Sequence, residues 1–114
     1  MSDQGFFQRS INSEGFAGQS VTEAGNIAGT ASVVTATTVV ATPYTILLPD
    51  QVANAGRTVT VVNVTGSAIL TVGVQSGDSL DGIVDGDSAG LAVALAFQTF
   101  VSMGSAGWLI IAES

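Results

Sequence analysis

Apolar and polar residues alternate along most of the chain after residue 30, with the period of two that is typical of a β-strand. The clearest case is the stretch 57–64, in which Thr58 and Thr60 alternate with Val59 and Val61. β-branched residues fit a pleated, half-buried strand, and Gly, Pro and Asp mark the turns between such stretches. Strands are therefore predicted over the ranges 31–41, 44–48, 57–64, 68–75, 91–103 and 108–112. Short strands at this spacing predict an all-β fold, either a compact β-sandwich or a small barrel.

The uncharged stretch 88–112 is long enough to cross a bilayer, but its internal pattern favours strands. Larger apolar residues occupy most of its odd positions, and alanine or polar residues occupy the even ones: Leu91, Val93, Leu95, Phe97, Val101 and Met103 against Ala92, Ala94, Ala96, Gln98 and Ser102. A period near two is that of a strand, and we therefore predict no membrane span.

The first 30 residues differ from the rest of the chain. They contain five glycines and scattered single apolar residues, with neither a helical nor a strand period. Such a segment cannot bury enough apolar surface to fold alone. It is either a disordered tail or an extended arm that becomes ordered on a partner, and we favour the arm because exposed Phe side chains are costly in a mere tail. The predicted organisation is an arm over 1–30 and a β-rich domain over 31–114.

Composition excludes several kinds of chemistry. The 114 residues include no Cys and no His, so a thiol or histidine nucleophile, a histidine base and a Cys/His metal site are all impossible. Two basic residues against nine acids leave a net charge of −7, which cannot supply the basic patch that nucleic acid requires. With no phosphate-binding or metal motif either, we predict a protein that is not an enzyme and needs no cofactor.

An acidic segment at 78–87 carries four Asp residues within ten positions. Ca²⁺ binds oxygen ligands, but the spacing does not match the helix-flanked calcium loop. Asp-Gly and Gly-Asp pairs are common in turns, where the carboxylate accepts hydrogen bonds from nearby backbone amides. Turn formation is the favoured interpretation, with calcium binding as the alternative.

The order of several short motifs resembles a β-rich module of tailed-phage virion proteins. The motifs are TILLP at 45–49, GRTVTVVNV at 56–64, ILTVGV at 69–74, GDSLDG at 77–82 and SAGWLII at 105–111. Modules of this kind occur in capsid decoration (cement) proteins, head fibres and tail fibres. The resemblance implies a compact β domain that associates as a homotrimer, often intertwined, and it leaves residues 1–30 unmatched.

A single module with a short arm suits a capsid decoration protein on the outer surface of the virion. Its partners would be two further copies of the chain and the major capsid protein, and binding only the assembled shell would stabilise it. The residues predicted to contact the capsid are Phe6, Phe7, Arg9, Ile11 and Phe16; those predicted at the subunit interface are Leu95, Phe97, Trp108 and Ile110.

Two other functions are also compatible with the sequence. The first is a short head or tail fibre that binds a host surface glycan through Trp108, Tyr44 and the acidic segment. The second is a bacterial surface or secreted polymerising protein, which is disfavoured because the N-terminus shows no apolar export signal.

Overall fold

The alternating Val and Thr residues form the strands of two β-sheets in a computed structural model that describes residues 17–114. The larger sheet has seven strands, in the order β1-β3-β5-β9-β10-β7-β8, and the smaller has three, in the order β2-β4-β6. The strands are β1 (Ala17–Val21), β2 (Gly25–Asn26), β3 (Ala31–Ala36), β4 (Tyr44–Leu47), β5 (Thr58–Asn63), β6 (Leu70–Gly73), β7 (Ser79–Leu80), β8 (Ile83–Val84), β9 (Ala96–Ser102) and β10 (Trp108–Glu113). The predicted all-β fold is confirmed.

The first six strands alternate between the two sheets as the chain proceeds. β1, β3 and β5 pair in parallel in the larger sheet, and β2, β4 and β6 pair in parallel in the smaller one. The pairs β1–β2, β3–β4 and β5–β6 therefore each form one turn of chain that passes through both sheets. The three turns stack on one another through the backbone hydrogen bonds of the parallel strands.

The last four strands complete the larger sheet. β9 runs antiparallel to β5, and β10 runs antiparallel to β9. β7 pairs in parallel with β10, and β8 folds back on β7 as a hairpin. The two-residue hairpin loop is Asp81-Gly82, and both residues have positive φ (50° and 83°), as a tight hairpin turn requires.

The core lies between the two sheets. Its fully buried members come from both sheets, with Val34, Val59 and Phe100 from the larger and Ile46 and Val72 from the smaller. Facing sheet surfaces that bury such side chains define a sandwich. The side chains on the opposite surface of the larger sheet do not belong to this core.

The sheets begin at Ala17, inside the range 1–30 for which the sequence predicted an arm outside the β domain. β1 and β2 have no apolar alternation. Backbone pairing with β3 and β4 and hydrogen bonds of polar side chains keep them in the sheets. Gln19 Oε1 accepts from the backbone N–H of Ala28 at 2.8 Å, and the Ser20 and Thr35 hydroxyls bond at 3.2 Å. Ile27 is the apolar residue of this stretch that enters the core.

In the uncharged stretch 88–112, β9 and most of β10 confirm the predicted strands, whereas residues 91–95, also predicted as strand, form a loop with one isolated bridge from Leu91 to Leu70. Among residues 17–114, no helix has the length and apolar character needed to cross a membrane.

Candidate functional site

Strand β9 carries both apolar and polar side chains on each of its sides, with Ala96 and Phe100 also inward and Thr99 also outward. Its inward positions include Gln98 and Ser102, while Phe97 and Val101 point away from the core. Gln98 is 2% exposed, and no hydrogen-bond partner is present for its Oε1 among residues 17–114. A buried carbonyl oxygen without a partner is costly, and so is an apolar ring exposed to water. The outward Phe97 and Val101 make this side of the strand suited to apolar contact.

The neighbouring strands extend this outward surface. The register pairs Val62 with Phe97 and Thr58 with Val101, and it pairs Val101 with Leu109 on β10. β3 continues the surface on the other side of β5. We call the resulting surface the outer face, made of Val33, Thr35, Thr58, Thr60, Val62, Phe97, Thr99, Val101 and Leu109.

Hydroxyl groups of the outer face and its β1 margin bond to one another. The Thr60 and Thr99 hydroxyls lie 2.9 Å apart at its centre, and the Ser20 and Thr35 hydroxyls pair at 3.2 Å near its β1 edge. Polar groups that are already paired lose little when water is removed from them. The pairing therefore lowers the cost of burying these hydroxyls, although a single bond between two hydroxyls uses only one of their two hydrogens.

No charged residue belongs to the outer face. Glu23 and Asp50 lie in connections between strands, and the four acidic residues of 78–87 lie around the β7–β8 hairpin. Glu113 is on β10, but its register partner is the inward Gln98, whose Nε2 donates to Glu113 Oε2 at 3.0 Å. The Arg57 guanidinium donates to Asn54 Oδ1 and to the Ala31 carbonyl oxygen.

A buried polar network holds three loops together at the end of the sandwich nearest Phe97. The side chain of Asn63 donates to the carbonyl oxygens of Ala68 and Leu91, and its Oδ1 accepts from the Thr38 hydroxyl and from the Gly66 N–H. All four hydrogen-bonding positions of this amide are therefore used, which makes the loop end a rigid unit.

The same loops expose a group of apolar side chains: Val39, Val40, Val64, Ile69, Val93 and Leu95. Leu95 is 66% exposed and has a φ of +65°, a backbone region that costs a non-glycine residue about 1–2 kcal/mol. We call this group the loop-end cluster. It lies beside the Phe97 margin of the outer face, since the Leu95 N–H donates to the Asn63 carbonyl oxygen.

The residues predicted at a subunit interface lie in different environments. Phe97 is on the outer face, and Leu95 is in the loop-end cluster. Trp108 is completely buried in the core of its own chain, where its indole N–H donates to the Pro49 carbonyl oxygen at 3.0 Å. Ile110 faces inward and packs against the same core. Strand alternation points Leu109, and not Trp108 or Ile110, away from the core, and the subunit-interface role of the four residues stays a prediction.

The outer-face residues other than Phe97 were missed from the sequence. The sequence does show Thr58, Thr60 and Val62 alternating with the valines that turned out to face inward. A two-residue period separates the two sides of a strand but does not indicate which side is buried in the core. The predicted capsid contacts Phe6, Phe7, Arg9, Ile11 and Phe16 lie outside the described residues.

The acidic segment uses its carboxylates within the fold. Asp78 Oδ2 accepts from the Gln51 N–H, Asp81 Oδ1 from the Ile110 N–H, and Asp85 Oδ1 from the Gly77 N–H, at 2.8–3.0 Å. The Asp85 bond lies close to the segment, as the turn interpretation predicted, whereas the Asp78 and Asp81 bonds join it to residues distant along the chain. Within residues 17–114, no three acidic side chains are grouped so that they could hold a metal ion.

The two aromatic residues considered as glycan contacts also bond within the chain. Trp108 is in the core, as described above. The Tyr44 hydroxyl donates to the Thr37 carbonyl oxygen at 2.8 Å, and burial raises the pKa of this phenol above its ordinary value. In the described part of the chain no pocket is found beside either ring.

No protein-family model matches the chain, and a search of curated proteins returns no similar sequence.

Proposed function

We propose that this chain is a phage capsid decoration protein that binds the assembled shell as a homotrimer and stabilises it from outside. The family part of the proposal comes from the resemblance of residues 33–112 to the β-rich module of tailed-phage virion proteins. The observation that carries a structural role is the outer face, a sheet surface without charge on a chain with a net charge of −7. A surface of this kind suits permanent contact with protein.

The stabilising mechanism is mass action. A ligand that binds the assembled shell and not its separated subunits lowers the free energy of the shell. Three copies in one trimer would present three N-terminal arms, and linked contacts raise avidity without requiring strong individual contacts. Phe6, Phe7 and Phe16 are the apolar anchors of the proposed arm.

The alternative is a short fibre that binds a host glycan. Its proposed contacts are now less suitable, because Trp108 is buried and the Tyr44 hydroxyl donates to the backbone. A glycan platform needs an exposed aromatic ring, and the partly exposed rings among the described residues are those of Tyr44 and Phe97. The decoration function is therefore retained as the proposal.

Copy number in the virion tests the function directly. Quantitative mass spectrometry of purified virions, from the phage that encodes the chain, would compare its abundance with that of the major capsid protein. A ratio close to unity, or a simple fraction of it, is the expected result because a decoration protein covers equivalent shell sites. A few copies per particle would support the fibre instead, and absence from the particle would refute both.

The arm is tested separately in the full-length chain. Replacing Phe6, Phe7 and Phe16 together by Ser should reduce cosedimentation with undecorated shells by about tenfold or more, because buried aromatic anchors carry most of the energy of an interface. Ile83→Ser combined with Val84→Ser removes exposed apolar residues elsewhere and should leave binding unchanged. Equal binding by both variants would contradict the role of the arm.

A further inference from the structure

No other strand of residues 17–114 packs on the outer face, which carries five apolar side chains, four threonines and no charge. Phe97, Val62 and Val101 are half-buried by their neighbours on the sheet, and Leu109 is exposed. The inward side of the same sheet is closed by the three-stranded sheet. The outward side of the larger sheet therefore has no second sheet packed on it among residues 17–114.

The charge distribution limits the partner. A basic partner would be attracted to acidic groups, and the outer face has none. A partner that carries charge would have to bury it without a counter-charge, which costs several kcal/mol. The covering surface must therefore be uncharged and apolar.

A second copy of the chain meets this requirement. Two chains with a net charge of −7 repel each other, and contact through a surface without charges keeps the acidic groups in solvent on both. The Thr60 and Thr99 hydroxyls at the centre of the face bond to each other, so a copy has to supply at most one further acceptor to this pair.

The dimensions are compatible with such contact. Four strands, about 4.8 Å apart and rising about 3.3 Å per residue over five or six residues, cover a projected area of about 350 Å² per copy. Side-chain relief makes the accessible area larger. A standard interface buries about 800 Å² on each partner, so the outer face supplies the centre of an interface of modest size. The loop-end cluster, beside Phe97, extends the same apolar surface.

We propose that the outer face is the surface through which copies of this chain associate, with Phe97, Val101 and Leu109 among its apolar contacts. This deepens the proposed homotrimer by naming its contact surface, and that homotrimer is part of the proposed function. The assignment replaces Trp108 and Ile110, which serve the core.

The test uses the full-length protein in solution, without shells. Its mass is measured by size-exclusion chromatography with light scattering over a range of concentrations, against the 11.4 kDa of one chain. The wild-type chain is expected to be a multiple of this mass. Val101→Lys should raise the apparent dissociation constant about 100-fold or more, since it buries an unpaired charge within the face.

Val52→Lys is the matched control, because Val52 is exposed in the turn between β4 and β5 and receives the same change of charge. Lysine lowers the net negative charge in both variants, so a loss of association cannot come from added repulsion. Circular dichroism and urea unfolding check that both variants fold. If Val101→Lys does not fold, Leu109→Lys tests the same loss of association with a lysine at an exposed position of the outer face.

Association lost in Val101→Lys or Leu109→Lys and kept in Val52→Lys supports the proposal. A monomeric wild-type chain, or face variants that associate as the wild type does, would overturn it. These outcomes are independent of the virion copy number: a decoration protein can associate through another surface, and the outer face can join copies of a chain that has another function.

Discussion

Gly66 illustrates how strongly one position can depend on the folded structure. It has a φ of +63°, and a Cβ added to it would overlap the backbone nitrogen of Ala94 in the loop before β9. Its N–H donates to Asn63 Oδ1, so the residue also belongs to the network at the loop end. The sequence predicted a turn at 65–67, but the crowding comes from a loop almost thirty residues later and could not be predicted.

Gly66→Ala is therefore expected to destabilise the chain by about 3 kcal/mol or more, through backbone strain combined with displacement of the Ala94 loop. Gly77→Ala is the control, because Gly77 also has a positive φ (89°) but has open space around its missing side chain. That variant should lose only about 1–2 kcal/mol, the cost of the left-handed backbone. Urea unfolding compares the two, and equal losses would show that the loop can move away freely.

At the scale of elements, the strands themselves were largely predicted, and their orientation was not. The sequence indicated strands in 91–103 and 108–112, which contain β9 and most of β10. It could not indicate that Gln98 and Ser102 face the core and Phe97 faces outward. Pairing with β5 decides this: Val59 and Val61 are buried, and their register partners Phe100 and Gln98 must share that side.

A substitution in β10 tests whether Trp108 belongs to the core of its own chain or to a subunit interface. Trp108→Phe keeps an aromatic ring in the core but leaves the buried Pro49 carbonyl oxygen without its donor at 3.0 Å. We expect a loss of about 1–3 kcal/mol in the free energy of unfolding, measured by circular dichroism in urea. The oligomeric mass of the folded variant should not change, because the ring lies inside its own chain.

Tyr44→Phe is the control for this change. It also removes a donor to a backbone carbonyl, Thr37, but at a partly exposed position where water can replace the hydroxyl. Its loss should stay below about 1 kcal/mol. A Trp108→Phe chain as stable as Tyr44→Phe, or one that changes its oligomeric mass, would contradict the assignment of Trp108 to the core.

At the scale of the whole molecule, stability depends on parallel strands that are distant along the chain. β1 and β2 complete the stacks β1-β3-β5 and β2-β4-β6, and Ile27 directly after β2 is buried in the core. The range 1–30 predicted as an arm therefore contains a part that belongs to the sheets, from Ala17 onward.

Two truncations test this division of the chain. Removal of 1–16 should leave the urea midpoint close to that of the full chain, since both sheets remain. Removal of 1–30 should lower the free energy of unfolding by several kcal/mol: burial of Ile27 alone contributes about 1.5–3 kcal/mol, and the edges of β3 and β4 lose their partners. A 1–30 truncation as stable as the full chain would show that β1 and β2 contribute nothing to the fold.

The sequence by itself determined the all-β class, the positions of most strands after residue 30, the turns at Asp-Gly pairs and the absence of Cys and His chemistry. Each of these follows from residue type and local period. The tertiary structure decided the parallel stacking of the first six strands, the burial of Trp108 and the outward direction of Phe97 and Val101. A period of two assigns side chains to two faces, but only pairing between distant strands, with one face packed on a second sheet, determines which face is buried.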